Sequence, residues 1–256
     1  YELKQKANDD DEAEIMIYSE IVSYKWREDS PEVTAAQFDK LIKAAKKDGA
    51  TKLRLRICCP GGSVFQAVAM KTQIILAGFE EVNVDIEGLC ASAATFFVCI
   101  PGAKVRIAEG SSFMIHNPYT SLWGGTAKDF RATADRLEKM ENDQHEWYSR
   151  RSGQTTEQIK EWMDAETWFT AKETVEKGFA DSLIGGMDAA ACVRGEDMEL
   201  MQSIYSHVPD SIQIKNSGTA SAENVISNAA ETGTAENYTN HEEERNDMDI
   251  KDITAQ

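Results

Sequence analysis

The sequence predicts an α/β fold built on a mostly parallel sheet. Three observations carry that expectation. Short apolar or alternating segments take turns with amphipathic helical stretches, the pattern of repeated strand–helix units. Two of the strand candidates deliver the chain into glycines, at Pro60-Gly61-Gly62 and at Gly88. Hydrophobic residues make up 41% of 256 residues, enough for an ordinary globular core.

Each element follows from its own pattern. Residues 14–22 are short and rich in β-branched and apolar side chains, which suits a buried strand. Thr34 is placed to cap a helix carrying Phe38, Leu41, Ile42 and Ala45 on one face, and Gly49 stops it. Residues 52–58 alternate polar and apolar, as a strand does. A second helix is expected from near Ser63, carrying Val64, Ala67, Val68 and Ile74-Ile75-Leu76 and ending at Gly78. Residues 82–86 form the next strand candidate, and 91–100 are apolar on every side, which predicts a buried helix with Ser92 near its N-terminus.

Strands are expected again at 104–108 and 112–116, the latter ending on His116 and broken by Asn117-Pro118. A long helix over 127–150 gathers Phe130, Ala134, Leu137, Met140 and Trp147 on one face. A shorter helix over 156–163 is capped by Thr155 or Thr156, and Thr170-Ala-Lys-Glu173 has capping-box form before a last helix ending at Gly178. The chain divides into a flexible polar lead-in (1–13), a core domain (14–186), a segment able to dock on the core or on a partner (187–210) and an acidic tail (211–256) expected to be disordered.

Bulk properties exclude several classes. A formal charge of -17 argues against a nucleic-acid partner, because phosphate binding needs clustered Lys and Arg. Five cysteines, an odd number without a Cys-x-x-Cys pair, suit a reducing cytoplasm better than a disulfide framework, and no metal or cofactor is expected. The longest apolar run is shorter than the roughly 20 residues of a membrane span.

The chemistry lies in three blocks: Cys59-Pro-Gly-Gly-Ser63, Gly88-Leu-Cys-Ala-Ser-Ala-Ala94 and Phe113-Met-Ile-His-Asn-Pro118. A glycine turn can aim N–H groups at an oxyanion, a serine among small residues can be a nucleophile, and a histidine can be its base. The Gly-x-Ser-x-Gly elbow of α/β-hydrolases is absent. Of four histidines, His207 and His241 fall in the C-terminal region and His145 on the charged face of the long helix, so His116 is the base candidate. Cys90 is the rival nucleophile to Ser92; a thiolate there needs a base and an open environment, and helix geometry is expected to aim it elsewhere.

These blocks, with the closing Ala171-x-Glu-x-Val-x-x-Gly-x-x-Asp181, resemble the Clp protease proteolytic subunit (ClpP) family, and in particular its divergent branch of bacteriophage head-maturation proteases. The resemblance implies a ClpP/crotonase-type spiral of parallel strands and helices with a protruding handle helix. It implies Ser92 as nucleophile, His116 as base, and the N–H groups of Gly62 and Ala93 as oxyanion donors. The family's triad aspartate precedes a Phe-Leu-Ser-Ala stretch; here that stretch is Trp168-Phe-Thr-Ala171, leaving Glu166 or Asp164 to orient the histidine. Implied partners are a protein or peptide substrate, copies of the chain in a homo-oligomeric ring (a heptamer or stacked double ring), and an ATP-dependent unfoldase or phage capsid and scaffold proteins. Three readings follow: a serine endopeptidase, a crotonase-like enzyme acting on thioesters, and a catalytically idle ring subunit.

Overall fold

In the computed structural model, which describes residues 3–5, 11–25, 27, 29–185, 202–203 and 205–209, one eight-stranded sheet carries the fold. Its spine runs β1 (Leu3–Gln5), β2 (Glu12–Ile17), β3 (Lys52–Cys59), β4 (Glu81–Ala91), β5 (Lys104–Ala108) and β8 (Ser182–Ile184). From β2 to β8 all neighbours are parallel, and β1 closes one edge antiparallel to β2. The eleven-residue β4 serves two neighbours in succession: residues 83–86 pair with β5, and residues 89–91 pair with β6 (Ser112–Ile115). β6 pairs in turn with the antiparallel β7 (Thr167–Thr170).

The helices are α1 (Ala35–Lys47), α2 (Val64–Ala77), α3 (Ala127–Ser152), α4 (Thr156–Asp164) and α5 (Ala171–Glu176), with a 3-10 helix at Ser92–Cys99. Local chemistry sets their limits. Thr34 with Gln37, Thr126 with Asp129 and Thr170 with Glu173 form reciprocal capping boxes, so orphan N–H groups of the first turns are satisfied. α2 and α3 end on Gly78 and Gly153, both left-handed.

Strand alternation sorts the two faces of the sheet. One face presents Ile15, Ile17, Leu53, Leu55, Ile57, Val84, Ile86, Val105 and Ile107, all fully buried against Phe38 and Ile42 of α1, Met70 and Ile74 of α2, and Phe96 and Phe97 of the 3-10 helix. The opposite face is a ladder of ion pairs. Arg54 bridges Glu12 at 3.0 Å and Asp85 at 2.7 Å, Arg106 binds Asp85 at 2.6 Å, and Arg56 binds Glu87 at 2.8 Å and Glu14 at 3.2 Å. Further along this charged face the surface turns apolar, where Cys58, Leu89, Ala91 and Met114 pack around Tyr205.

Several expectations are corrected. Leu3–Gln5, inside the expected flexible lead-in, form a strand registered on β2, and β2 begins at Glu12. The apolar segment after residue 91 is buried as expected but winds as a 3-10 helix, a distinction that all-round apolarity cannot make. The apolar face expected on α3 is only partly covered: Phe130 is 51% exposed, while Gln144, His145 and Tyr148 are buried. His145 is therefore not the solvated residue its charged neighbours suggested. The acidic tail over 211–256, Cys192, His241 and most of 187–210 lie outside the described residues. Among the described residues, no helix is long and apolar enough to cross a membrane.

Candidate active site

At the end of β3 the chain turns through Gly61 and Gly62 at φ of 103° and 124°, a region that costs an L side chain strain. Close approach adds a second reason for glycine. A Cβ on Gly62 would lie 2.1 Å from the Ile21 carbonyl oxygen, and one on Gly61 would lie 2.8 Å from Ser92 Cβ. The turn is pinned by two 2.7 Å bonds, Ile21 N–H to the Gly61 carbonyl and Ser63 N–H to the Ile21 carbonyl.

β4 delivers Ser92 beside this turn, and β6 delivers His116. Because Ala91 is registered with Met114 in the parallel β4–β6 pair, the residues just past both strands meet in space. Ser92 Oγ lies 2.7 Å from His116 Nε2. Ser92 sits at φ 54°, and Glu166 at 49°; among the described residues they are the two non-glycines in this conformation. Each such residue costs roughly 1–2 kcal/mol, so the strain is concentrated where the sequence placed its chemistry.

His116 is half-buried, and burial pulls its pKa below the ordinary 6.5, with the Glu166 charge opposing that shift. The imidazole is thus neutral and able to accept a proton at neutral pH. Among the described residues, no protein acceptor takes the N–H of Gly62 or of Ala93. Ala93 is the second residue of the 3-10 helix, in the first turn where N–H groups lack intrahelical partners.

Asp164 is the last residue of α4 and Glu166 lies between α4 and β7, and each is occupied elsewhere. Asp164 accepts from Asn117 Nδ2 at 2.8 Å and pairs with Lys160 at 3.3 Å; those contacts, the Asn117 bond foremost, hold its pKa below the usual carboxylate value. Glu166 accepts from the backbone N–H groups of His207 at 2.7 Å and Ser206 at 3.2 Å, one on each oxygen. Among the described residues, neither carboxylate hydrogen-bonds His116. Cys90 is fully buried, and burial raises its thiol pKa well above the ordinary value, which removes it as a nucleophile.

A cleft of about 470 Å³ runs from this cluster along the start of α3. Gly61, Gly62, Ser92, His116 and Tyr205 line one end, and Leu122, Arg136 and Met140 are among the residues lining the rest. Sequence reasoning did not place Arg136 or Tyr205 here. Arg136 lies among exposed charges of a long helix, and Tyr205 comes from a segment whose apolar residues, Met198, Leu200 and Met201 among them, signalled docking without naming where. Chemically, the cluster can pass a hydroxyl proton to an imidazole as the hydroxyl oxygen adds to a carbonyl, and two N–H groups are free to meet the oxyanion that forms from the carbonyl oxygen. Among the described residues, no group of three His, Cys, Asp or Glu side chains is placed to hold a metal ion.

The family model for Clp protease matches residues 6–187. The chain is 33% identical over 146 residues to the ATP-dependent Clp protease proteolytic subunit 3 of Rhodococcus jostii (strain RHA1), covering 56% of this chain and 71% of that protein. It is 33% identical over 145 residues to proteolytic subunit 2 of Thermobifida fusca (strain YX), covering 56% and 70%. A third similar protein is proteolytic subunit 2 of Bifidobacterium longum (strain NCC 2705), 30% identical over 146 residues, covering 56% and 69%.

Proposed function

The chain belongs to the Clp protease family, and on that premise we propose that it is a serine endopeptidase acting through an acyl-enzyme on Ser92. The observation that carries the proposal is the 2.7 Å hydrogen bond between Ser92 Oγ and His116 Nε2 at one end of a cleft of about 470 Å³. His116 takes the hydroxyl proton as Ser92 attacks the scissile carbonyl, then gives it to the leaving amine. The N–H groups of Gly62 and Ala93 receive the tetrahedral oxyanion. Water, activated by the same histidine, releases the acyl group and regenerates the hydroxyl.

Glu166 is our choice for the third member, because its charge raises the His116 pKa whereas Asp164 is engaged by Asn117 and Lys160. The relatives' name, ATP-dependent, supports an unfoldase that feeds chains to a cytoplasmic ring of this subunit. The sequence resemblance to head-maturation proteases supports phage capsid or scaffold proteins as the substrate class.

The test is treatment of the full chain with a fluorophosphonate, followed by intact-mass measurement and peptide mapping. A single adduct on Ser92, lost in Ser92→Ala and in His116→Ala, is the expected result. A folded protein that carries no adduct after prolonged exposure, or carries it elsewhere, overturns the proposal.

A further inference from the structure

The described part of the C-terminal segment reaches the catalytic end of the cleft. Tyr205 is 6% exposed although it lies beyond the family-matched region. Its ring stands edge-on to His116, with centroids 5.4 Å apart at 86°, and edge-on to Trp168 at 5.7 Å. Its hydroxyl donates to the carbonyl of Pro60, the residue directly before the Gly61-Gly62 turn. The apolar end of the sheet face, at Cys58, Leu89, Ala91 and Met114, closes around it. The next two residues give their backbone N–H groups to the two oxygens of Glu166.

These contacts converge on the same groups that the peptidase reading needs. Tyr205 touches both the residue before the oxyanion turn and the histidine, and it lines the cleft beside Ser92. Ser206 and His207 satisfy the carboxylate that would otherwise orient His116. A segment held by an aromatic anchor and by main-chain N–H groups is also how a peptide binds a cleft.

We propose that the segment 205–209 is an intramolecular strap, with Tyr205 occupying the cleft as a pseudo-substrate and the backbone of Ser206 and His207 holding Glu166 away from His116. The proposal rests on the serine-peptidase reading. The resting enzyme is then strapped shut by its own chain, and an incoming peptide or a partner that lifts the strap frees the cleft and the carboxylate together. Apparent reactivity scales with the fraction of molecules in the open state.

Two variants of the full chain test this against the rate at which a fluorophosphonate labels Ser92. Tyr205→Ala removes the anchor. His207→Pro deletes the shorter N–H bond to Glu166 and leaves the ring, and its side chain is largely exposed, so the core is untouched. Both are expected to label faster than the full chain, by about tenfold where the strap is closed in nine molecules of ten. Folding is checked by thermal unfolding. Labelling at the full chain's rate or slower, in either variant once shown to be folded, makes the segment a support for the site and overturns the strap while the serine reading stands. Absence of label on Ser92 in the full chain and in both variants removes the serine reading and the strap with it.

Discussion

Ser92 and His116 meet because two parallel strands end one after the other, and their surroundings tune what they can do. Burial is the larger influence on His116 and lowers its pKa; the Glu166 charge partly restores it. A base works in its neutral form, so a lowered pKa extends activity toward acid. The rate of Ser92 labelling is expected to be flat above pH 6.5 and to fall on acidification with a midpoint below that value. Glu166→Gln, which withdraws the restoring charge, should move the midpoint lower still. A midpoint above 6.5, read from a pH–rate profile, would mean that a charge partner outweighs burial. The same shift bears on stability: as pH falls, the unfolded chain takes up the proton first, so His116 contributes a destabilisation that grows through the window between its folded pKa and 6.5.

Among the elements, the central strands show how charge can sit on a parallel sheet. Such sheets are normally covered on both faces. Here the second face is closed by its own side chains, with the 4%-exposed Asp85 joining Arg54 of β3 to Arg106 of β5. Removing a buried ionic partner costs about 3–5 kcal/mol because the remaining charges are left desolvated. Arg106 is 44% exposed and Arg54 keeps Glu12, so Asp85→Ala should cost less, about 2 kcal/mol. Denaturant midpoints measure this, and a loss under about 0.5 kcal/mol would place the ladder among ordinary surface pairs. This scale also shows what the sequence could reveal. The alternation Leu53, Leu55, Ile57 against Arg54, Arg56 marks a two-faced strand outright, and capping residues mark α1, α4 and α5. The partners of Glu166 could not be read, since they lie some 40 residues away and bind through backbone N–H groups, which carry no residue signature. His145 was misread because its helix neighbours are charged, while burial depends on what packs from outside the helix.

For the whole molecule, the uncovered apolar surface is the telling quantity. Trp123 is 97% exposed, Leu76 80%, Phe65 74% and Phe130 51%, on α2, α3 and the approach to α3. Large apolar side chains left this exposed suit protein–protein contact, in keeping with the ring proposed above. Sedimentation of the full chain should therefore give a mass several times the 28.5 kDa of one subunit. Phe130→Glu should yield smaller species with the subunit fold retained by circular dichroism. A monomer at micromolar concentration would detach the peptidase proposal from ring assembly.

The left-handed backbone at Ser92 and Glu166 sets stability and chemistry against each other. Glycine at either position would relax the chain, at the expense of a hydroxyl or a carboxylate. On the proposed serine-peptidase reading, directed evolution for heat resistance alone would therefore drift toward these two codons and return a sturdier, inert protein, so any such campaign has to screen for turnover at every round.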